Sequence, residues 1–181
     1  MTVTVVTVDR AALPAMLLPL AKSHCRIDGT YDDAYLTSAI GRAIARLEAT
    51  NDATINPTTV TWSPASTEFI NGGATLPVRP ATAFTAVAGS PAVDVKANYS
   101  LALKWDGIHG LPIQVLKGAA ADGLVVTLTA GYADLANAPQ LLDLVLRHTA
   151  HLYENREILT PGAPYVAPDL AMDATWWMPR I

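Results

Sequence analysis

The chain has 181 residues, with 12 Lys and Arg, 16 Asp and Glu, and a formal net charge of −4. This acidic balance excludes a protein that holds DNA through its phosphates, because such binding requires clustered cations. Hydrophobic residues make up 51% of the chain and charged residues only 15%, against the ~25% typical of globular proteins. No stretch approaches the ~20 apolar residues of a membrane-spanning helix. The surplus apolar surface is therefore expected at subunit contacts.

Residues 1–51 are predicted to begin with a strand and to continue as helices. Thr and Val alternate over the first residues, which is typical of an extended strand. Asp9 and Arg10 interrupt this apolar start, so a signal peptide is not expected. A short first helix is predicted over 18–26, ended by Asp28-Gly29.

A second, longer helix is predicted to begin near Asp33 and to fade near residue 50. Thr30 and Asp33 resemble a capping box, with Asp in the place of the usual Glu. Apolar residues then recur at three- and four-residue spacing, which indicates an amphipathic helix with one buried face: Leu36, Ile40, Ala43, Ile44 and Leu47.

Residues 57–132 are predicted to form a small antiparallel β-rich insert. Glycine, proline, threonine and valine dominate, and turn signals separate six short β-prone runs: 58–62, 82–87, 93–96, 100–103, 113–116 and 124–129. Gly72-Gly73 and residues 107–110 match neither a phosphate-binding loop nor a dinucleotide fingerprint.

A long C-terminal helix is predicted over 138–159, with Pro139 in its first turn. Asp143 and Arg147 are predicted to pair on the face opposite an apolar arc, which consists of Leu141, Leu142, Val145, Leu146, Leu152 and Tyr153. Residues 160–181 are rich in proline and are predicted to form an extended tail. The whole is predicted to be a single α+β domain, with a mainly helical core from both ends of the chain, the β-rich insert and the tail.

Three residues of the last helix are candidate metal ligands. His148, His151 and Glu154 follow at i, i+3 and i+6, a spacing at which His and Glu can ligate a divalent cation. The neighbouring sequence supplies no further ligand. The favoured interpretation is that the histidines flank the apolar arc and pair with Asp or Glu, so no metal and no cofactor are expected.

The remaining candidates for chemistry have structural explanations. His24 and Cys25 are adjacent, so on a helix they point about 100° apart, and a nucleophilic cysteine would need a distant base such as His109. A half-buried structural cysteine is favoured. An acidic cluster lacks the ligand spacing of an EF-hand loop and is interpreted as helix capping: Asp28, Asp32 and Asp33. An enzyme is therefore disfavoured.

An ordered set of motifs covers about residues 13–159. Residues 20–28 resemble an "L-x-x-x-K-x-H-L-R-hydrophobic-D" opening, and the acidic pair Asp32-Asp33 then precedes the amphipathic helix. Residues 76–80 match "hydrophobic-Pro-x-x-Pro", and a strand ends in Ala-Gly-Tyr at residue 132. Residues 151–157 match "H-x-Y-E-N-R-E". This set resembles the tailed-phage head–tail connector family, also called head-completion or adaptor proteins, although Cys25 stands where the family usually has an aliphatic residue.

The resemblance implies a structural protein of the virion neck, assembled in the host cytoplasm, without enzymatic activity. Members form a homo-oligomeric ring, typically dodecameric, beneath the portal protein. The ring extends the DNA channel, through which DNA passes without sequence-specific binding, and it provides a docking platform for the next neck or tail protein, the stopper. No membrane is implied.

On this basis the tail is predicted to bind the portal or a neighbouring subunit, with Trp176 and Trp177 as anchors. Its candidate contact residues are Tyr165, Met172, Trp176, Trp177 and Met178. Three alternatives stay open: another neck component such as a stopper or tail-terminator protein, a metal-binding enzyme using the two histidines and the glutamate of the last helix, and a small binding module outside viruses.

Overall fold

The computed structural model describes residues 2–51, 53–105 and 112–155. Within these ranges the chain forms two compact units. The β unit contains residues 2–8 and 57–131, and the helical unit contains residues 9–56 and 132–155. In the part of the chain that the structure describes, no helix is long and apolar enough to cross a membrane. The predicted tail, residues 107–110 and His109 lie outside the described residues.

Three helices make up the helical unit: α1 (Ala12–Cys25), α2 (Asp33–Asn51) and α3 (Pro139–Glu154). The apolar stripe predicted for α2 is confirmed, because all five of its members are fully buried. The shared core is formed by side chains of all three helices and of the segments that flank them: Leu13, Leu17, Ala21, Ile40, Ile44, Leu47, Ile55, Leu135, Ala138, Leu141 and Val145.

Helix α1 is longer than the predicted segment 18–26, because neither proline interrupts it. Pro14 lies in the first turn, where a backbone N–H would have no intrahelical partner in any case. Pro19 lies inside the helix on its exposed side. There, water can reach the carbonyl of Ala15, the group that Pro19 leaves without a donor.

The buried face of α3 is displaced from the predicted arc. Leu141 and Val145 are buried as expected, but Leu142 and Leu146 are only partly buried. His148 lies in the buried row instead, and its side chain is fully buried. The prediction that this histidine flanks the arc and pairs with a carboxylate is wrong, because its ring lies inside the packed face of the helix.

Eight strands form two antiparallel sheets in the β unit. The larger sheet has the order β1-β2-β8-β4-β5 and the smaller one β3-β7-β6. In chain order the strands are β1 (Thr2–Val8), β2 (Thr58–Ser63), β3 (Gly73–Thr75), β4 (Ala81–Ala88), β5 (Val93–Asp94), β6 (Ser100–Trp105), β7 (Pro112–Lys117) and β8 (Val125–Ala130). Five of the six predicted runs are confirmed as strands, and the run 93–96 is confirmed only in part, because β5 ends at Asp94 and a 3-10 helix begins at Lys96. Strand β3 lies between two of the predicted runs and was not predicted.

The α+β class is confirmed, but the expectation of a mainly helical core is wrong. Strands occupy nearly as much of the described chain as helices. The two sheets also build a core of their own, because side chains from both pack together: Trp62, Ala74, Leu76, Ala81, Ala86, Tyr99, Leu116, Leu124, Val126 and Leu128.

A buried glutamine joins the two sheets of the β unit. Gln114 of β7 accepts a hydrogen bond from the backbone N–H of Ala81 in β4, and it donates one to the carbonyl of the same residue, both at 2.8 Å. The side-chain amide thus occupies the place of a neighbouring strand. Both residues are buried, so these two bonds are shielded from water.

Candidate interaction surfaces

The first motif of the connector resemblance connects α1 to α2. Arg26 ends α1 in the left-handed conformation, with φ 56°, and its N–H bonds to the carbonyls of Lys22 and Ser23. The Lys22 ammonium donates to Asp33 Oδ1 at 2.7 Å and also to the carbonyl of Gly29. The lysine of the motif therefore holds the first turn of α2 against the end of α1.

The last motif connects α3 to the same place. The Tyr153 hydroxyl donates to Asp32 Oδ2 at 2.6 Å, and the Tyr35 hydroxyl donates to the carbonyl of Leu152 at 2.9 Å. The two tyrosine rings pack with their centroids 6.0 Å apart. Asn155 closes the end of α3 by donating to the carbonyl of His151 at 3.0 Å. The acidic pair and the C-terminal motif, far apart in sequence, thus form one structural junction.

His148 is fully buried, and neither ring nitrogen has a hydrogen-bond partner. Burial lowers the pKa of His148, and the positive charges of Arg46 on α2 and His151 on α3 lower it further. The ring stacks on that of His151, with centroids 6.5 Å apart and planes 12° apart. This histidine is therefore a neutral core residue.

The candidate metal ligands of α3 do not form a ligand set. His148 is buried in the helix packing, and Glu154 is exposed at the end of the helix. Among the residues that the structure describes, no three His, Cys, Asp or Glu side chains lie close enough together to hold a metal ion. Metal independence stays a prediction, which elemental analysis of the purified chain would check.

Within the described residues, the surroundings of Cys25 do not favour a nucleophile. It is a free, half-buried thiol at the end of α1. Burial raises the pKa of the Cys25 thiol, and the negative charge of Glu154 raises it further. A reactive cysteine requires the opposite shift, because the thiolate is the nucleophile. The neighbouring His24 is exposed.

An uncharged apolar surface lies on the outer side of α1, and we call it the α1 outer face. Met16 and Leu20 are 46% and 48% exposed, one turn apart, and Ala15, Pro19 and Ser23 are exposed beside them. In an amphipathic surface helix the outer side normally carries charged residues. The sequence did not reveal this face, because it predicts the first helix only over 18–26 and leaves Ala15 and Met16 outside it.

The second apolar surface is strand β1, at the edge of the larger sheet. Every described side chain of β1 is exposed, and Val3, Val6 and Val8 are 39%, 55% and 39% exposed. Within the described residues no strand pairs with its outer side. The sequence predicted a strand here but not an interaction surface. The available signal was a run of seven residues with no charge, glycine or proline, since protected edge strands usually carry such residues.

The predicted contact residues of the tail all lie outside the described residues: Tyr165, Met172, Trp176, Trp177 and Met178. The structure neither brings them together nor separates them. Their role in docking stays a prediction.

Comparison with known proteins identifies the fold. Neither a protein-family model nor a curated protein matches the sequence. A chain in the virion of the native gene transfer agent (GTA) particle is similar with a TM-score of 0.62 and 23% identity, over 91% of this chain and 90% of that one. A chain in the neck of the empty particle, computed with C6 symmetry, has a TM-score of 0.61 and 21% identity over 100% and 97%.

A chain in the neck of the native GTA particle, computed with C12 symmetry, has a TM-score of 0.59 and 20% identity, over 100% of this chain and 97% of that one. The fold of this chain is therefore shared, over nearly its whole length, with chains of phage-like particles. At such identities the likeness shows the fold alone.

Proposed function

We propose that this chain is a structural protein of the neck of a phage-like particle, where it forms a homo-oligomeric ring. The observation that carries this proposal is the fold shared, over at least nine-tenths of both chains, with chains in GTA virion and neck structures. The two neck structures were computed with C6 and C12 symmetry, which supports a ring. Localisation in a virion neck follows from the same likeness.

Within the neck we propose the adaptor position, beneath the portal and above the next neck protein. The connector resemblance supports this position, and three of its motifs are part of the fold itself, because the first motif, the acidic pair and the last motif form the junction of the three helices. The portal and the stopper are the proposed partners, DNA passes through the lumen, and assembly takes place in the host cytoplasm.

The proposed role is structural rather than enzymatic. The similar chains belong to particle structures. Burial raises the pKa of Cys25, away from the thiolate form that a nucleophile requires, and His148 is fully buried, where a substrate could not reach its ring. Apolar surface at α1 and β1 provides what a ring subunit needs instead, namely side faces to cover.

Electron microscopy of particles made with and without this chain tests the neck assignment. We expect particles lacking it to have DNA-filled heads without attached tails, and we expect its density to form a ring in complete necks. Crosslinking then tests the adaptor position, because an adaptor must contact the portal. Normal, tailed particles assembled in the absence of this chain would contradict the proposal.

Truncation after Leu159 tests the docking role of the tail. We expect the shortened chain to keep its circular dichroism spectrum and melting temperature but to lose binding to portal rings. A double Trp176→Ala, Trp177→Ala variant should lose the same binding, whereas the matched double variant Asp169→Ala, Asp173→Ala should retain it. Undiminished portal binding by the truncated chain would show that the tail is not a docking arm.

A further inference from the structure

The β unit has two long strand edges that are open, and they lie on different sheets. Strand β1, with seven residues, ends the larger sheet, and β6, with six residues, ends the smaller one. The opposite edges are much shorter, since β5 has two residues and β3 has three. Of the four strands that end the sheets, β1 and β6 are the two long enough to form an extended backbone ladder with another chain. The side of β4 that extends beyond β5 is occupied in part by the Gln114 amide, which bonds to Ala81, and by the N–H of Val95, which bonds to the carbonyl of Ala86.

The apolar inner face of the larger sheet continues onto β1 without cover. Strand β2 alternates buried and half-buried residues, and its buried row includes Trp62 and Thr58. In the antiparallel register Val3 lies opposite Trp62 and Val8 opposite Thr58, so both valines share that face. Yet each remains 39% exposed. The inner face of the sheet is thus buried at β2, whereas its side chains on β1 remain partly exposed.

Strand β6 repeats this arrangement on the other sheet. Leu101 lies opposite the fully buried Leu116 and packs against the core, and Leu103 lies opposite the buried Gln114. Leu103 is nevertheless 36% exposed. The inner row of the smaller sheet therefore also ends in an apolar side chain that nothing covers within the described chain.

The backbone of β1 is suited to pairing over its first half. Residues 2–5 pair with β2 in regular register, and the register shifts only between Val5 and Thr7. The shift places Val6 outside the ladder, with 55% of it exposed. No charge, proline or glycine protects the strand, although a long unprotected edge is a liability unless it is covered.

We propose that β1 of one copy pairs with β6 of the next copy and that this strand pairing is a side contact of the ring; the inference rests on the proposed function. The two edges match in length, and both inner rows end in exposed aliphatic side chains that the pairing would cover. The contact joins two different surfaces, so it is heterologous and propagates around a ring. Pairing of β1 with itself would instead give a closed dimer.

Disulfide trapping in the full chain tests the pairing directly. When the inner faces of the paired strands align, the outer faces align as well, which places Thr4 beside the outer-face residues of β6, Ala102 and Lys104. Paired strands bring opposite Cα atoms to about 4.5–5.5 Å, within the range of a disulfide. Thr4→Cys is therefore combined in turn with Ala102→Cys or Lys104→Cys, in a Cys25→Ser background and in assembled particles.

We expect one of these pairs to give, under oxidation, a ladder of covalent oligomers that extends beyond the dimer. Thr4→Cys with Val93→Cys is the matched control, because β5 is the short edge, and it should stay monomeric. No ladder from either pair, or an equal ladder from the control, would overturn the proposal. A dimer from Thr4→Cys alone would also overturn it, because that result identifies self-pairing of β1.

A pair of lysine substitutions provides the second test. Val6→Lys places a charge on the β1 edge, and Val93→Lys places the same charge at a site of similar exposure, 60%, on β5. We expect both variants to keep the wild-type melting temperature but only Val6→Lys to lose at least tenfold in incorporation into particle necks. Equal incorporation of the two variants would overturn the pairing, whereas absence of the wild-type chain from necks would refute the proposed function instead.

Discussion

Replacement of Gln114 by Leu removes the polar connection between the two sheets of the β unit. The substitution deletes two buried hydrogen bonds of 2.8 Å, each contributing about 1 kcal/mol net. It also leaves the backbone N–H and carbonyl of Ala81 without this partner at a site that is 5% exposed, which costs about 1–3 kcal/mol more. Burial of the leucine side chain offsets part of the loss. We expect the free energy of unfolding to fall by about 2–4 kcal/mol.

Urea denaturation followed by circular dichroism measures this loss, and Gln140→Leu is the control. Gln140 is an exposed residue at the start of α3, so its substitution should change the free energy of unfolding by less than about 0.5 kcal/mol. For a chain of this length, the expected loss corresponds to a melting temperature lower by about 10 °C. If Gln114→Leu is as stable as Gln140→Leu, the amide does not hold the sheets together and this reasoning is wrong.

Three further predictions concern the helical unit. Leu141→Ala should lower the free energy of unfolding by about 2–5 kcal/mol, because the side chain is fully buried. Leu146→Ala, at a half-buried site, should lower it by only about 1 kcal/mol in the same denaturation experiment. Burial lowers the pKa of His148 in the folded chain, so the unfolded chain binds a proton at this residue more readily than the folded chain does. The fold should therefore lose stability as the pH falls below about 6.5, the pKa of an unperturbed histidine. His148→Leu should flatten the pH dependence of the melting temperature below about pH 6.5. Cys25 should react with a thiol reagent at neutral pH more slowly than free cysteine does, and Glu154→Gln should raise the rate, because the carboxylate raises the thiol pKa. An unchanged pH profile, or a thiol as reactive as free cysteine, would contradict the assigned surroundings.

The first and last motifs that suggested a connector protein, and the acidic pair between them, are structural elements of the helical unit. From the sequence, Lys22, Asp32 and Tyr153 were known only as members of motifs that follow one another along the chain. The structure shows that they share one junction, in which Lys22 pairs with Asp33 and Tyr153 bonds to Asp32. Such a junction depends on contacts between residues more than 100 positions apart, which periodicity cannot reveal.

The exposed surfaces could be predicted only in part. The sequence indicated surplus apolar residues and placed them at subunit contacts, but the contact residues it named lie only in the tail, where their role stays a prediction. The described residues carry further apolar surface on α1 and on β1, with Leu20 and Val6 about half exposed. Whether an apolar residue is covered depends on which elements pack against it, so composition alone could not locate these faces.

The sequence by itself determined the local elements. The stripe of α2, the proline at the start of α3 and the six β-prone runs follow from side-chain spacing and backbone restriction, which act over a few residues. Tertiary structure decided the rest. It placed β1 beside β2, more than fifty residues away, buried His148 in the face of α3, and gave the sheets their own core. These outcomes depend on which distant surfaces exclude water together, and that choice is made only when the whole chain packs.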